Sequence, residues 1–512
     1  MRMRAWAVVS VAAGVWAANG LAQSPAAGTR AAPNASIISE KPLGSTARYD
    51  QLKAVTFTKD NHHAAFLAVR AGQQYVVRDG VESQPFEWII PASLSVPMVG
   101  GHLAFVAQTG NNQETAYVDL KPVGKSYYTI GADHVRFSAD GAHNAFTAKY
   151  ADGGVVVVRD GVEGKKYLAA VAVPVFSPDG NHLAYEAAVA RDKMCVVLDE
   201  KEQKTYQTTV RGTLNFSPDS HRLAYTAVAS DKYIGVVDGK ESPPYDAMWL
   251  TPVFSPDSKH VAWMAGVGSQ YFVVFDGRDG PKYDGFSGPL VWSADSRHLA
   301  YATRKGKVIR VVRDGVEQKP CEDLLGVSMR YSPDSNHLAY IAASGSERYV
   351  MLDDRRQQPS FEQIVGNSIL FSPDSRRLAY VGLRGKQTIV VVDGKEGTKY
   401  DYVAEIRFSP NSKHFTYRAI NGKQQVVIVD GQTIGSYDAA VPLRFSDDGA
   451  HSVFAGLTGT VTHIVVDGIE LPAAYSGWVD GIEPAFDKAG NCDLLMLRDR
   501  QLLEVTIKLG GK

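Results

Sequence analysis

The sequence predicts an all-β protein, a β-propeller of twelve four-stranded blades. Three observations carry that prediction. One motif returns along nearly the whole chain at intervals of 37 to 41 residues. Within each interval, short apolar stretches alternate with the turn formers of antiparallel strands. The two chain ends complement one another as parts of a single unit.

Composition bounds the problem first. The 512 residues carry 54 Lys+Arg against 55 Asp+Glu, a formal charge of −1. That balance excludes a strongly basic nucleic-acid binder and gives no basis for docking on anionic membranes. With 45% hydrophobic and 21% charged residues, the chain reads as folded, neither disordered nor a multi-span membrane protein. Cys195, Cys321 and Cys492 are too few for a disulfide framework, and their spacing matches no zinc motif.

At the N-terminus, Arg2 and Arg4 precede an apolar run from Ala5 to Ala18, and Gly20-Leu21-Ala22 supplies small residues before Gln23. This is the layout of a secretory signal peptide over residues 1–22, and the run falls short of the roughly 20 residues a spanning helix needs. An exported protein, periplasmic or extracellular, is expected, with no transmembrane segment after cleavage. Residues 23–42, rich in Ala, Pro, Ser and Gly, read as a flexible leader.

The repeat is Phe-Ser-Pro-Asp-Gly/Ser, two residues, then Leu-Ala-Tyr. Its aromatic falls at Phe57, Phe137, Phe176, Phe216, Phe254, Trp292, Tyr331, Phe371, Phe408, Phe445 and Phe486, and a degraded copy lies near Pro97. The 469 residues from Gly44 to Lys512 therefore divide into 12 units of about 39. Each unit opens on an apolar stretch such as Thr251–Phe254 that runs into Ser255-Pro256-Asp257-Ser258, where Pro presets φ for a type I turn. A second strand follows, as in Leu183-Ala184-Tyr185. The third is β-branched and ends in Asp-Gly, as in Val390–Gly394, a preferred two-residue hairpin turn. The fourth is more polar and carries Tyr-Asp, as in Tyr283-Asp284 and Tyr400-Asp401. Four-stranded units of this size repeated radially are propeller blades.

The last unit stops after its third strand, at Leu502–Lys508, while Arg48-Tyr49-Asp50 is a fourth-strand motif with no blade of its own. Pairing the two ends would close the ring and remove an exposed sheet edge.

These units resemble the Pro-Asp blades of the TolB-type, WD-repeat-like propellers, which also occur in prolyl-oligopeptidase-type peptidases. The resemblance covers the chain beyond its leader and implies a propeller, with a scaffold role as in TolB. TolB-like proteins place an α/β domain before the propeller, where this sequence has only about 20 leader residues. The peptidases add a hydrolase domain with a Gly-x-Ser-x-Gly elbow; the nearest match, Gly285-Phe286-Ser287-Gly288, has the wrong spacing. Propellers usually have four to eight blades, so two tandem six-bladed rings, residues 43–285 and 286–512, are the preferred partition. One twelve-bladed ring is the alternative, and no linker marks the midpoint.

Nine units place His just before the second strand: His63, His102, His143, His182, His260, His298, His337, His414 and His451, with Arg222, Arg377 and Cys492 at the other three. Positions spread around a ring do not converge on one ion, and Arg cannot ligate. A bond to a turn or a neighbouring blade is the better reading. The aspartates of the Ser-Pro-Asp and Asp-Gly turns are likewise explained by turn chemistry. No catalytic residue, metal ligand or cofactor is assigned.

Function is expected where the repeats disagree. Loops joining fourth to first strands, and second to third, should share one rim. Trp88, Trp249 and Trp478 fall just after fourth-strand motifs, and Arg304, Lys305, Lys307, Arg384 and Lys386 make the later loops basic. These are the rim candidates for an envelope protein or polysaccharide partner, with sheet capping and a solvated rim as the bland alternatives. The second reading is a propeller enzyme of lactonase, cyclase or lyase type, with its site in the central channel.

Overall fold

In the computed structural model the described residues are 35–96, 100–110, 112–131, 134–168, 173–479 and 481–510. The expected signal peptide, the start of the leader and Pro97 lie outside them. The described chain forms twelve antiparallel sheets in sequence order, with one short 3-10 turn and no α-helix.

Blade 7 illustrates how the repeat folds. Its first strand is split into Gly285–Phe286 and Val291–Trp292; Leu299–Lys305, Val308–Arg313 and Val316–Glu317 follow, each paired with the strand before it. In the first turn Ser293 Oγ donates to Asp295 Oδ1 at 2.6 Å and accepts the His298 amide at 2.9 Å. Ser296 takes φ +66°, and the same turn position holds Gly180 in blade 4, also left-handed. This explains why the motif alternates Gly with Ser. The serine hydroxyl also ties neighbouring blades together. Ser296 Oγ accepts the Asp257 amide of blade 6 at 2.8 Å, so the turns interlock from blade to blade. The Asp-Gly hairpin is built as expected, with Asp314 at φ 53° and Gly315 at φ 78°.

Successive sheets stack face to face. Ala224 and the fourth-strand Tyr245 of blade 5 pack with Val261, Trp263 and Phe272 of blade 6 in one apolar cluster, and the pattern recurs around the ring. The sheets converge at their first strands: a Cβ added to Gly288 would lie 2.7 Å from Gly326 Cα of the next blade. At the fourth strands the gap is wide enough for the Lys165–Glu202 ion pair to span it, at 2.7 Å. First strands therefore line the centre and fourth strands the outside.

The ring closes through the N-terminus. Ala35–Ser45 pairs antiparallel with Gln501–Leu509, from Ala35↔Leu509 to Ser45↔Gln501, and so supplies the fourth strand of blade 12. Closure through the chain ends is as expected, but the closing segment differs. Tyr49 and Asp50 form the crossing into blade 1 instead: Tyr49 packs edge-on against Phe66, and Asp50 Oδ2 accepts the Ala71 amide at 2.8 Å. Residues 35–42 of the expected leader are accordingly strand.

All twelve blades form a single ring, the second of the two arrangements the sequence left open; the preferred six-plus-six partition is corrected. Two rings would require blade 6 to close on blade 1. Instead Ala262, Met264 and Val273 of blade 6 share a core with Tyr283, Leu299, Tyr301 and Val312 leading into and forming blade 7. At the other boundary Ala64 of blade 1 is buried with Leu494 and Val505 of blade 12. The midpoint seam is packed like any other.

Candidate functional site

Hydrogen bonds define two faces. On the crossover face, an acidic residue just after the fourth strand caps the next blade's second hairpin in several units. Asp246 Oδ2 accepts the Gly268 amide at 2.7 Å, Asp284 Oδ2 that of Gly306 at 2.6 Å, and Asp438 Oδ2 that of Gly459 at 2.7 Å. Fourth-to-first crossings and second-to-third loops thus share this face. On the opposite, hairpin face, the nine histidines each meet the aspartate that ends the third strand through Nδ1, from His63–Asp79 at 2.8 Å to His451–Asp467 at 2.8 Å, and Gly follows that aspartate in six of the nine. Arg222 and Arg377 reach Asp238 and Asp393 through Nε, each at 2.9 Å. The structural reading of these positions is what the geometry shows. Cys492 does not belong with them: the first turn of blade 12 is one residue shorter, with Phe486 opposite Cys492, so Cys492 sits fully buried in the second strand.

The rim tryptophans lie on first strands near the crossover face. Trp88 is 43% exposed, with Lys53 Nζ of blade 1 5.1 Å from its ring. Trp249, 42% exposed, meets Tyr271 edge-on at 4.6 Å. Trp478 instead packs half-buried against the closure core. Among the 16 large apolar residues exposed in the described chain, 11 lie on the crossover face or on the first-strand halves that open onto it. They include Leu168, Leu325, Val327, Val365 and Tyr402. Only Val81, Val162, Phe275 and Val316 lie at the hairpin face, and Ile38 on an outer strand.

The basic loops behave unequally. Arg304, Lys305, Lys307 and Lys386 are exposed and form no ion pair among the described residues. Arg384 is engaged: it grips Glu396 with both terminal nitrogens, at 3.0 and 2.8 Å, and lies 4.9 Å from the Phe361 ring. Its place is in the blade's own packing.

A cluster that the repeat motif does not announce lies at the other mouth of the channel. Arg407, Arg444 and Glu483, from the first-strand regions of blades 10, 11 and 12, line a cleft of about 680 Å³ with Phe57, Asp60 and Asp447. Glu483 pairs with Arg444 and stands 3.6 Å from Arg407. Burial lowers the affinity of Arg407 for its proton, and burial with the neighbouring Arg407 charge pushes Arg444 down to about 10. Two desolvated guanidinium groups thus share one carboxylate, an arrangement suited to a ligand carboxylate or phosphate. The sequence does not single it out: a basic residue stands directly before the motif aromatic at Arg407-Phe408 and Arg444-Phe445, and equally at Arg136-Phe137 and Arg330-Tyr331, which do not line the cleft.

No protein-family model matches the chain, and no curated protein matches it. Among solved structures it is similar to a eukaryotic initiation factor, at 14% identity over 65% of this chain and 96% of that one, with a TM-score of 0.33. It is also similar to the Dos1 propeller, at 11% identity over 58% and 92% of the two chains, with a TM-score of 0.28. The class of the protein, a closed twelve-bladed β-propeller, rests on the sheets and their seams.

Proposed function

We propose that the chain is an exported, non-catalytic propeller that binds an envelope protein or a polysaccharide through its crossover face, in a scaffold role like that of TolB. The observation that carries this reading is the concentration of exposed apolar side chains on that one face, eleven of the sixteen among the described residues. Trp88 and Trp249 are the anchors, Arg304, Lys305 and Lys307 the polar rim. The signal-like segment before Gln23 and the Pro-Asp blade type support export and the TolB-like role.

The test is a pull-down from the native envelope with wild-type protein, Trp88→Ala and Trp249→Ala. A hot-spot anchor costs about 2 kcal/mol of binding on truncation, roughly thirtyfold in affinity. Retention should fall by that order with little change in melting temperature. Unchanged retention with lowered melting temperature would make these residues sheet caps.

The channel cleft favours a second reading, a propeller enzyme with a central site. Arg407→Ala would then abolish turnover of an anionic substrate while Trp249→Ala would leave it intact.

A further inference from the structure

The seams between neighbouring blades are largely apolar where the second and third strands face the next blade, although blade 4 buries Glu186 and blade 10 places Arg418 two residues further along the second strand. Ala184 and Val196 of blade 4 are the example, both packed on blade 5. By strand register the second-strand position is alanine in nine blades, Thr416 in blade 10 and Val453 in blade 11. The third-strand position is Val, Ile, Ala or Gly in those same blades. Blade 12 breaks both. Its register places Asp493 and Glu504 at these positions, with side chains only 2% and 8% exposed. They face His62, on the first turn of blade 1.

The three side chains converge. His62 Nδ1 lies 2.6 Å from Glu504 Oε1, and His62 Nε2 lies 3.9 Å from Asp493 Oδ2. Supporting contacts fix them from outside. Thr506 Oγ1 donates to Asp493 Oδ1 at 2.6 Å, Lys41 Nζ reaches Glu504 Oε2 at 3.0 Å, and Asp60 accepts the His62 amide at 3.1 Å. Asp493 Oδ2 faces His62 Nε2 across 3.9 Å from a side chain that is almost wholly buried. A carboxylate buried this deeply is stabilised by a cation beside it.

We propose that His62, Asp493 and Glu504 bind one divalent transition-metal cation that clamps blade 1 to blade 12 and locks the ring. One imidazole nitrogen with two carboxylate oxygens is a donor set for zinc, which bonds nitrogen and oxygen at about 2.0–2.2 Å. Two ligands of a tetrahedral ion of this kind stand about 3.4 Å apart. The 3.9 Å gap between Nε2 and Oδ2 closes to that with a shift of about half an ångström, and one atom from each of the three residues lies within 4.8 Å of the others. Glu504 Oε1 lies 2.6 Å from the other ring nitrogen, His62 Nδ1, so Glu504 joins the set by giving up that bond and swinging toward the gap. Calcium, which wants six to eight oxygens, fits poorly. The half-exposed His62 ring gives the ion its way in. Because the ligands come from both sides of the seam, metal binding would be coupled to closure.

The test uses untagged full-length protein stripped with EDTA and titrated with zinc chloride by calorimetry and thermal melting. One zinc per chain beyond that bound by His62→Asn is expected, with a rise in melting temperature of about 2 °C or more that EDTA reverses. Asp493→Asn should lose the same equivalent; since it alters a buried position, the exposed His62→Asn carries the decision if it does not fold. Equal zinc stoichiometry in wild type and His62→Asn, or melting indifferent to zinc and EDTA, would overturn the proposal. A calcium-driven rise in place of the zinc one would overturn it as well.

Discussion

His298 Nδ1 lies 2.7 Å from Asp314 Oδ2, joining the first turn of blade 7 to its Asp-Gly hairpin. The other oxygen, Asp314 Oδ1, accepts the Leu299 amide at 2.9 Å. One aspartate in the left-handed region thus staples three segments, and the His298 ring stacks on Tyr331 of blade 8 at 6.2 Å.

His298→Arg should be tolerated within about 1 kcal/mol, because Arg222 and Arg377 already fill this place with the same partner. Asp314→Ala should cost more, about 2 kcal/mol, since it removes two acceptors and leaves alanine in a left-handed conformation. Asp314→Asn, which keeps an amide acceptor and tolerates that conformation, should fall between. Denaturant melts of the three variants give the order; a His298→Arg loss as large as that of Asp314→Ala would refute it.

Removing residues 1–45 deletes the fourth strand of blade 12, while removing residues 1–34 spares it. The first truncation exposes the edge of Gln501–Leu509 and breaks the Arg498–Glu40 pair, bidentate at 2.6 and 2.7 Å. It should melt markedly lower and aggregate through the freed edge. Equal melting of the two proteins would contradict closure through Ala35–Ser45.

A half ring, residues 46–284, should not fold into a soluble body. Cutting after blade 6 uncovers Ala262, Met264 and Val273, and losing blade 12 uncovers Ala64. Two apolar sheet faces of this kind promote association. A cooperative melt of a monomeric half ring would restore the six-plus-six partition.

Acid should weaken the ring through its first turns. Asp140, Asp179, Asp219, Asp257, Asp295, Asp334, Asp374 and Asp448 are held below the ordinary carboxylate range, chiefly by the hydroxyl of the serine two residues earlier. For Asp257 the value is about 2 against an ordinary 3.8. A group depressed in the folded state contributes stability that is complete above its unfolded value and is lost as pH falls through its folded value. Melting temperature should therefore hold down to about pH 4 and decline between there and pH 2. Ser255→Ala should flatten part of that decline; an unchanged melting temperature across the window would contradict the assignment.

Local chemistry determined the blade. Proline and aspartate in the first turn, Asp-Gly in the third and β-branched strands between them act over a few residues, so Ser255–Ser258 and Asp314-Gly315 fold as their sequence reads. Identical units also fixed their own number. What only the tertiary structure decided is how unlike units meet. Nothing within a repeat states the angle between sheets, which follows from the small residues at most seams, such as Ala184 against blade 5, and from close approaches such as Gly288 on Gly326, and so sets twelve blades in one ring. The meeting of Arg407 and Arg444 with Glu483, and of His62 with Asp493 and Glu504, belongs to the same class. Arg407, Arg444 and Glu483 meet across the consecutive blades 10 to 12, whereas His62 stands eleven blades from Asp493 and Glu504 in sequence and meets them only because the ring closes.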